Sequence, residues 1–267
     1  MLRGFYTAAS GMIAQQRQQE ALSNNITNAQ TPGYKADQPA MRAFPEMLMQ
    51  QMGNKQVPTE EGLNLSEQKP IGSMHTGVYT QETIPDQSQG DLRNTGTSTD
   101  LALVNGELPD DTGGVFFTVQ NAEGEERYTR NGSFTVDNDG FLATSQGYRV
   151  LDEAGNPVQT DNKDFTVDGA GNLQTDDETT PLGIAYTDDV AAMVKEGNDV
   201  FAGDTEAAPA GAGYTVKQGS LEQSNTDPAQ SMTQMMEGYR LFETNQRVLK
   251  AYDQSMGKAV SEIARLR

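Results

Sequence analysis

Four consecutive residues, Asp137-Asn138-Asp139-Gly140, carry the kind of oxygen-bearing side chains that a calcium ion prefers. An EF-hand loop has such residues around an invariant glycine and closes with a bidentate glutamate. Aligning Gly140 with that glycine puts Thr135 at the first ligand position and Gln146 where the glutamate is required, so the loop pattern fails. The flanking strand-like periodicity instead predicts a tight turn, and we expect no metal site here.

Other residues that could perform catalysis form no recognisable group. The single histidine, His75, lies among small and polar residues, where we expect a solvent-exposed strand residue. The absence of cysteine excludes a thiolate nucleophile, a thiolate metal site and a disulfide. Carboxylates are so abundant that no pair stands out as general acid and base, and no glycine-rich phosphate loop precedes a helix. The sequence therefore predicts a protein that is not an enzyme, with no catalytic residue and no cofactor.

Amide side chains are concentrated in residues 22–34, which read LSNNITNAQTPGY. Asn25-Ile26-Thr27 has the form of an N-glycosylation acceptor, but no apolar run resembling a secretory signal precedes it, and no segment approaches a membrane span. We interpret Asn24, Asn25 and Asn28 as amides that hydrogen-bond the backbone and neighbouring subunits at a helix end. The alternative is an ordinary helix C-terminus with solvated asparagines.

The charge of the 267-residue chain is unevenly distributed. The net charge is −19, with +2 on residues 1–42, +1 on residues 226–267 and −22 between them. Such an acidic chain is not expected to bind nucleic acid or to enter a membrane, because both nucleic acid and anionic lipid attract basic surfaces. The two nearly neutral ends are predicted to pack against copies of themselves, while the acidic centre is solvated.

A seven-residue apolar repeat runs through the C-terminal end. Alternating steps of three and four from Met232 reach apolar residues at eight of ten positions, with Gln246 and Asp253 at the other two. Asp227 as N-cap and Pro228 at the first helical position mark the beginning of this helix. A surface helix packed on its own domain is the alternative to a coiled coil. The seam residues that we expect to make assembly contacts are Met235, Tyr239, Phe242, Leu249, Met256 and Ile263.

The N-terminal end shows the same stepping more weakly. Leu2, Phe5 and Met12 follow it, and Ile26 rejoins it after several polar positions. A helix with so short an apolar stripe is marginal alone, so we expect it to pair with the C-terminal helix. Thr31-Pro32-Gly33-Tyr34 ends it, because the residue before a proline is pushed out of helical geometry and Pro-Gly favours a turn.

The centre of the chain has the character of strands and turns. FTVDNDGFLAT at 134–144 returns as FTVDGAGNLQT at 165–175, matching at seven of eleven positions, and each copy predicts a β-hairpin. LDEAGNPV at 151–158 predicts a further turn, and residues 45–52 could form a short amphipathic helix. We predict an α+β fold with terminal helices pairing as a coiled-coil segment around a central all-β domain rich in hairpins. Its predicted parts are an N-terminal assembly helix and corner (1–34), an extended connector (35–70), an acidic β-rich domain (71–225) and a C-terminal coiled-coil helix (226–267).

Several longer motifs resemble one family in its own order along the chain. GFYTAASGM followed by LSNNITNAQTPGYK is similar to the N-terminal signature of bacterial flagellar rod and hook proteins. GDLRNTGTSTDLAL, FFTV and YTRNGSFTVDNDGFLATSQGYRVLDEAGNPV resemble their central β region. QGSLEQSNTDPAQSMTQMMEGYRLFETNQRVLKAYDQSM resembles their C-terminal block. The length matches the rod members better than the longer hook subunit, and the distal rod protein is the nearest comparison.

The resemblance implies a structural axial subunit that polymerises into the basal-body rod and transmits torque from motor to hook. It implies copies of itself and other rod and hook proteins as partners, with export through the flagellar type III apparatus without a cleaved signal peptide. A hook or hook-junction subunit is the alternative, and a secreted carbohydrate-binding β domain is a more remote one. The expected assembly contacts are Leu2, Phe5, Met12, Asn24, Asn25, Ile26, Asn28, Pro32, Gly33, Met235, Tyr239, Phe242, Leu249, Met256 and Ile263.

Overall fold

Two long helices lie near the ends of the chain in the computed structural model. The structure describes residues 2–56, 64–106, 108, 110, 112–160, 165–175, 179–197, 199–207 and 213–265. Helix α1 spans Leu2–Thr27, helix α2 spans Pro228–Arg265, and a single 3-10 turn is assigned at Val190–Ala192. The remaining assigned elements are strands, so the predicted α+β fold with terminal helices and a β-rich centre is confirmed.

Between the helices, the described residues form twenty strands of 2 to 11 residues. The first ten are β1 Asp37–Ala43, β2 Met47–Gln56, β3 Asn64–Met74, β4 Val78–Pro85, β5 Leu92–Asn94, β6 Leu101–Asn105, β7 Gly114–Gln120, β8 Glu126–Thr129, β9 Phe134–Val136 and β10 Leu142–Thr144. The others are β11 Arg149–Val150, β12 Thr166–Val167, β13 Asn172–Gln174, β14 Thr179–Pro181, β15 Ile184–Thr187, β16 Val194–Lys195, β17 Val200–Ala202, β18 Glu206–Ala207, β19 Tyr214–Gln218 and β20 Ser220–Glu222.

The chain divides into two compact units. The first, which we call the terminal unit, comprises residues 1–23, 39–83 and 232–267; the second, the β unit, comprises residues 24–38 and 84–231. The clusters of buried apolar residues both lie in the β unit. The terminal unit contains most of α1 and α2 together with β2 and β3.

Strand β7 organises the core of the β unit. It pairs with β8, β11 and β15 within a nine-stranded sheet. Because neighbouring residues of a strand point to opposite faces, Phe117 joins the larger apolar cluster while Phe116 joins the smaller one. Phe117 stacks edge-on against Phe134, and Phe116 packs against Phe201, with ring centroids 5.2 and 5.6 Å apart. A strand buried on both faces explains the uninterrupted apolar run at its centre.

The predicted hairpins are present. Strands β9 and β10 pair antiparallel across the first copy of the repeat, and β12 and β13 pair antiparallel across the second. The turn predicted at 151–158 is also confirmed, since Asp152 N–H donates to Asn156 O. In that turn the Asp152 carboxylate accepts backbone N–H groups from Ala154 and Asn156, and Gly155 takes a φ of +82°. These turns are acidic because aspartate side chains bond their own backbone.

Residues predicted as an extended connector contain a second kind of hairpin. Strands β2 and β3 pair antiparallel over ten residue pairs, with a register shift at Met49/Gln50. The short helix considered for residues 45–52 is wrong, because Met47–Gln56 forms a strand. The Met-rich run pairs with β3, and this pairing decides its conformation. His75 follows β3, is exposed as predicted and lies 3.3 Å from Glu46 Oε1, but it is not itself in a strand.

Candidate assembly interface

Partly or fully covered side chains follow one strip along α2. Four of the predicted seam residues, Met235, Phe242, Leu249 and Met256, are half-buried. Tyr239 is 57% exposed and lies off this strip. The side chain of Ile263 lies outside the described part of the structure. With steps of three and four, the complete strip is Met235, Gly238, Phe242, Asn245, Leu249, Tyr252, Met256 and Ala259.

Glycines mark where the two helices approach each other. A methyl group on Gly4 would overlap the Tyr252 hydroxyl, and one on Gly11 would lie 3.2 Å from Asn245 Nδ2. A methyl on Gly238 would lie 3.3 Å from Gln15 Oε1. Contacts therefore move toward the start of α2 as they move toward the end of α1, so the helices are antiparallel. Gly4 and Gly11 are seven residues apart, as are Tyr252 and Asn245, which is the coiled-coil period.

The predicted contacts of α1 divide into two groups. Phe5, Met12 and Ile26 are half-buried, while the side chain of Leu2 lies outside the described part. Asn24 is exposed and Asn28 is half-buried, its Nδ2 donating to Asn24 O at 3.0 Å. The same carbonyl also accepts the backbone N–H of Asn28 at 3.0 Å, so the side chain adds a second hydrogen bond at the end of the helix.

Asn25 lies in the interior of the β unit and is only 4% exposed. Its Nδ2 donates to Asp37 O at 2.9 Å, and its Oδ1 accepts from Asp37 N–H at 2.8 Å and from the Tyr34 hydroxyl at 3.1 Å. The amide thus bonds the backbone of its own chain, which is the first half of the interpretation from sequence. A contact of Asn25 with a neighbouring subunit stays a prediction.

The corner after α1 is fixed by Pro32 and Gly33. Gly33 has a φ of +70° and its N–H donates to Glu222 O at 2.8 Å. A methyl group here would meet the Arg130 carbonyl carbon at 2.5 Å, so only glycine fits on both conformational and steric grounds. Pro32 is half-buried beside it.

A buried cluster of three charges, which sequence reasoning missed, lies next to this corner. Lys35 Nζ donates to Glu222 Oε1 at 2.7 Å and to Ser88 O at 2.8 Å. Arg130 Nη1 lies 3.4 Å from Glu222 Oε2, and its Nη2 donates to Asn105 Oδ1. All three charged residues are at most 2% exposed. We call Lys35, Arg130 and Glu222 the ion triad.

Burial governs the electrostatics of the ion triad. Loss of solvent lowers the pKa of Lys35, and the facing Glu222 carboxylate opposes this shift. The pKa of Arg130 is lowered by burial in the same way. Gly90 N–H also donates to Glu222 Oε1, and Leu103 O accepts from Arg130. These backbone groups replace part of the lost hydration, as a buried charge requires.

Asn225 joins the same corner to the segment that leads into α2. Its Oδ1 accepts from Ala36 N–H at 2.8 Å, and its Nδ2 donates to Asp86 O at 2.7 Å. Asp227 then caps α2, because its Oδ1 accepts from Ala229 and Gln230 N–H, and Pro228 begins the helix as predicted. The segments that follow α1 and precede α2 are therefore bonded together within the β unit.

A second charged group surrounds Tyr34. Lys195 Nζ lies 3.2 Å from both carboxylate oxygens of Asp37 and 4.1 Å from the centroid of the Tyr34 ring. Burial and the Asp37 carboxylate raise the pKa of Tyr34. Asp199 has a φ of +62° and is 5% exposed. Burial raises the pKa of its carboxyl to about 6, with Lys195 opposing and Asp37 reinforcing the shift.

Large exposed apolar side chains are concentrated in the terminal unit. On its strands, Leu48 is 63% exposed, Met52 79% and Ile71 62%. Scattered apolar residues on a surface are ordinary, but a dense set is typical of an interaction surface. On the described helices the set consists of Tyr6, Ile13, Met232, Met236, Tyr239, Leu241, Val248 and Val260.

The described residues contain no group of histidine, aspartate and glutamate that could hold a metal ion. A shallow cleft in the β unit is lined by Glu126, Asp152, Glu153 and Glu206 and by one aromatic residue, Tyr128. The apolar side chains in its lining are those of Tyr128, Ile184 and Ala185. Within the described helices, none is both long and apolar enough to cross a membrane.

The β unit is well packed, and the terminal unit leaves apolar faces of its helices exposed. These features are typical of a structural subunit that assembles. Family comparisons agree with this class. Residues 5–35 match the model described as flagella basal body rod protein, and residues 112–179 match the flagellar hook protein FlgE/F/G D1 domain. Residues 217–262 match the flagellar basal body rod FlgEFG protein C-terminal model.

Curated relatives align with 96% or more of this chain. The flagellar hook-basal body complex protein FlhO of Bacillus subtilis is 41% identical over 100% of both chains. FlhP of the same organism is 30% identical over 96% of this chain and 98% of its own. The flagellar basal-body rod protein FlgF of Caulobacter vibrioides is 30% identical over 100% and 98%. The chain belongs to the flagellar rod and hook family, whose members are structural axial components of the flagellum and not known enzymes.

Proposed function

We propose that this chain polymerises through its terminal unit into the rod of the flagellar basal body, where it transmits torque from the motor to the hook. The observation that carries this proposal is the concentration of exposed apolar side chains on the terminal unit, whereas both clusters of buried apolar residues lie in the β unit. A contact between two different faces, repeated without closing into a ring, produces a helical polymer.

We further propose that α1 and α2 pair as an antiparallel coiled-coil segment. Gly4 and Gly11 meet Tyr252 and Asn245 at seven-residue intervals, which supports this geometry. In the assembled rod, residues 1–34 and 226–267 would serve as assembly segments and residues 71–225 as the outer domain, with residues 35–70 connecting them. The predicted contacts among these segments then act between neighbouring subunits as well as within one chain.

The partners that fit this role are copies of the chain and other axial proteins of rod and hook. We propose that the subunit reaches an extracytoplasmic position through the flagellar type III export apparatus without a cleaved signal peptide. A hook or hook-junction position is the alternative, because one matching family model is described by a hook protein. A fluorescent label that persists in the basal bodies of cells lacking the hook would favour the rod, and its loss would favour the hook.

Polymerisation can be tested with matched apolar-to-acidic variants. Leu241 and Val248 are 48% and 39% exposed on α2, and Val194 is 65% exposed in the β unit. We expect purified wild-type protein and Val194→Asp to form filaments visible by electron microscopy, whereas the double variant Leu241→Asp/Val248→Asp stays monomeric in sedimentation. Equal polymerisation of all three proteins, or no polymer from the wild type, would contradict the proposed role of the terminal unit.

A further inference from the structure

Methionine is concentrated in the terminal unit. Eleven of the twelve methionines lie there, and Met193 is the exception. The chain contains no cysteine, so thioethers are its only sulfur ligands. Thioether sulfur is a soft donor that suits Cu(I), whereas carboxylate and carbonyl oxygens suit harder ions such as Mg²⁺ and Ca²⁺. A set of methionines on one face of an element can therefore select a soft ion.

Three methionines share one face of the β2–β3 hairpin. Met47 pairs directly with Met74 across the two strands, and Met49 pairs with Gly72. Alternate residues of a strand lie on the same face, so Met49 lies beside Met47 and Gly72 beside Met74. Directly paired residues have Cβ atoms about 4.5–5.5 Å apart, and diagonal neighbours about 7–8 Å. Because methionine side chains are long and flexible, three thioethers can reach one point above this face.

The fourth position of this face is open. A methyl group built on Gly72 would meet nothing within 4 Å, so an ion can enter from solvent at this corner. Met47 and Met49 are 47% and 37% exposed, and Met74 is half-buried. The three side chains are thus accessible while they remain close to one another. We call Met47, Met49, Gly72 and Met74 the thioether face.

We propose that the thioether face binds a soft monovalent cation, Cu(I) in particular, through the sulfur atoms of Met47, Met49 and Met74. The face has no carboxylate at any of its positions, so Mg²⁺ and Ca²⁺ are not expected to bind there. A bound ion links β2 to β3. Because a two-stranded hairpin is marginally stable alone in water, binding to the folded hairpin stabilises it.

Helix α2 offers the competing set of thioethers. Met232 and Met236 lie one turn apart and are 52% and 59% exposed. Met235 belongs to the covered strip of α2, so the helix presents two thioethers to solvent where the hairpin presents three. Each further ligand on the same scaffold acts at a high effective concentration, which favours the hairpin.

Nuclear magnetic resonance of methionine methyl groups would locate the ion. Purified full-length protein carrying ¹³C in these methyl groups is titrated with silver nitrate in chloride-free buffer, because Ag(I) is a soft monovalent ion that is stable in air. We expect the signals of Met47, Met49 and Met74 to shift together and to saturate with a single bound ion. Tetrakis(acetonitrile)copper(I) under nitrogen should shift the same signals, and Mg²⁺ should shift none. Shifts confined to Met232 and Met236, or the absence of a saturable shift, would overturn the site.

Matched substitutions would test the ligands. Met49→Leu and Met74→Leu each remove a thioether while nearly conserving side-chain volume, so the hairpin should keep its fold. Competition with bathocuproine disulfonate should show Cu(I) binding at least about tenfold weaker in both variants. Met52→Leu is the control, because Met52 is 79% exposed on the other face of β2 and should leave the affinity unchanged. Equal affinities in all three variants would contradict the assignment.

Discussion

Lys35 and Glu222, 187 residues apart in sequence, form a 2.7 Å salt bridge in which neither side chain is more than 1% exposed. The bridge connects the corner after α1 to strand β20, the last strand before α2. Gly33 N–H also bonds Glu222 O and Ala36 N–H bonds Asn225, so the segment after α1 and the segment before α2 are held together within the β unit. Residues of TPGYK at 31–35 therefore contact residues of LEQSN at 221–225, although the two segments lie near opposite ends of the sequence.

Removing the Glu222 charge is expected to destabilise the β unit strongly. Glu222→Gln leaves two buried cations without their carboxylate, and loss of one partner from a buried ion pair typically costs about 3–5 kcal/mol. Urea denaturation followed by tyrosine fluorescence would measure the free energy of unfolding. Glu125→Gln is the control, because Glu125 is 53% exposed beside Arg127 and should change stability by less than about 0.5 kcal/mol. Equal effects would contradict the importance of the triad.

Asn25→Ala is expected to destabilise the isolated protein before any question of assembly arises. The substitution removes an amide that makes three hydrogen bonds to Asp37 and Tyr34 in a buried position, at a cost of about 2–3 kcal/mol. Asn24→Ala, on an exposed position, should cost less than about 0.5 kcal/mol. Thermal unfolding of the monomers would compare them. An unchanged melting temperature for Asn25→Ala would indicate that this amide contributes only to contacts between subunits.

Asp199 is expected to make stability depend on pH. Its folded-state pKa of about 6 exceeds the unfolded value of 3.8, so the folded protein holds this proton more tightly. The stabilisation of the folded state by this proton is complete below pH about 4 and is lost as the pH rises to about 6. Above that pH, the free-energy cost of burying the ionised carboxylate is constant. Asp199→Asn should therefore raise the free energy of unfolding by about 2–3 kcal/mol at pH 7.5 and little at pH 4.

Denaturation curves measured from pH 4 to 7.5 would test the Asp199 prediction. Asparagine tolerates the left-handed φ of +62°, so the variant keeps the native backbone. Asp188→Asn, at an exposed position, is the control and should change the free energy of unfolding by less than about 0.5 kcal/mol. A constant offset between Asp199→Asn and wild type across this range would refute the assignment.

Two glycine substitutions distinguish the contribution of α1–α2 pairing to stability from the contribution of helix propensity. A leucine at Gly11 would occupy the space of Asn245 and should destabilise the helix pair by about 1–3 kcal/mol. A methyl group at Gly257 meets nothing within 4 Å, so Gly257→Leu should stabilise α2 by about 0.5–1 kcal/mol. Thermal unfolding followed by circular dichroism at 222 nm would distinguish them. A gain in stability from both variants would show that α1 and α2 do not pair.

Local patterns predicted the elements well and the long-range contacts poorly. The heptad repeat, Asp227 and Pro228 predicted α2, and the duplicated FTVD segments predicted two hairpins. The stepping from Met232 selected Tyr239, whereas the covered strip of α2 contains its neighbour Gly238. Apolar residues occupy both flanks of α2, and a glycine gives no hydrophobic signal, so sequence alone could not decide between the two classes. The stepping left out the seven-residue class of Gly238. That class contains the glycine and the amide side chain that allow α1 to approach α2.

The ion triad was beyond sequence reasoning for a different reason. Lysine, arginine and glutamate are almost never fully buried unless they are paired, so the default expectation for Lys35 is an exposed side chain. The pairing depends on residues that the fold, not the local sequence, brings together. The helix considered for the Met-rich run was wrong for a similar reason, because the conformation of strand β2 is set by pairing with β3.

The ion triad also imposes an order in time. A chain that emerges with its N-terminus first presents Lys35 and Arg130 long before Glu222 appears. Until then both cations favour water over the interior, so we expect the β unit to remain open while most of the chain has already passed. The β unit then completes its folding when the segment that begins α2 has emerged. Helix α2, which completes the terminal unit, therefore becomes available at the same time.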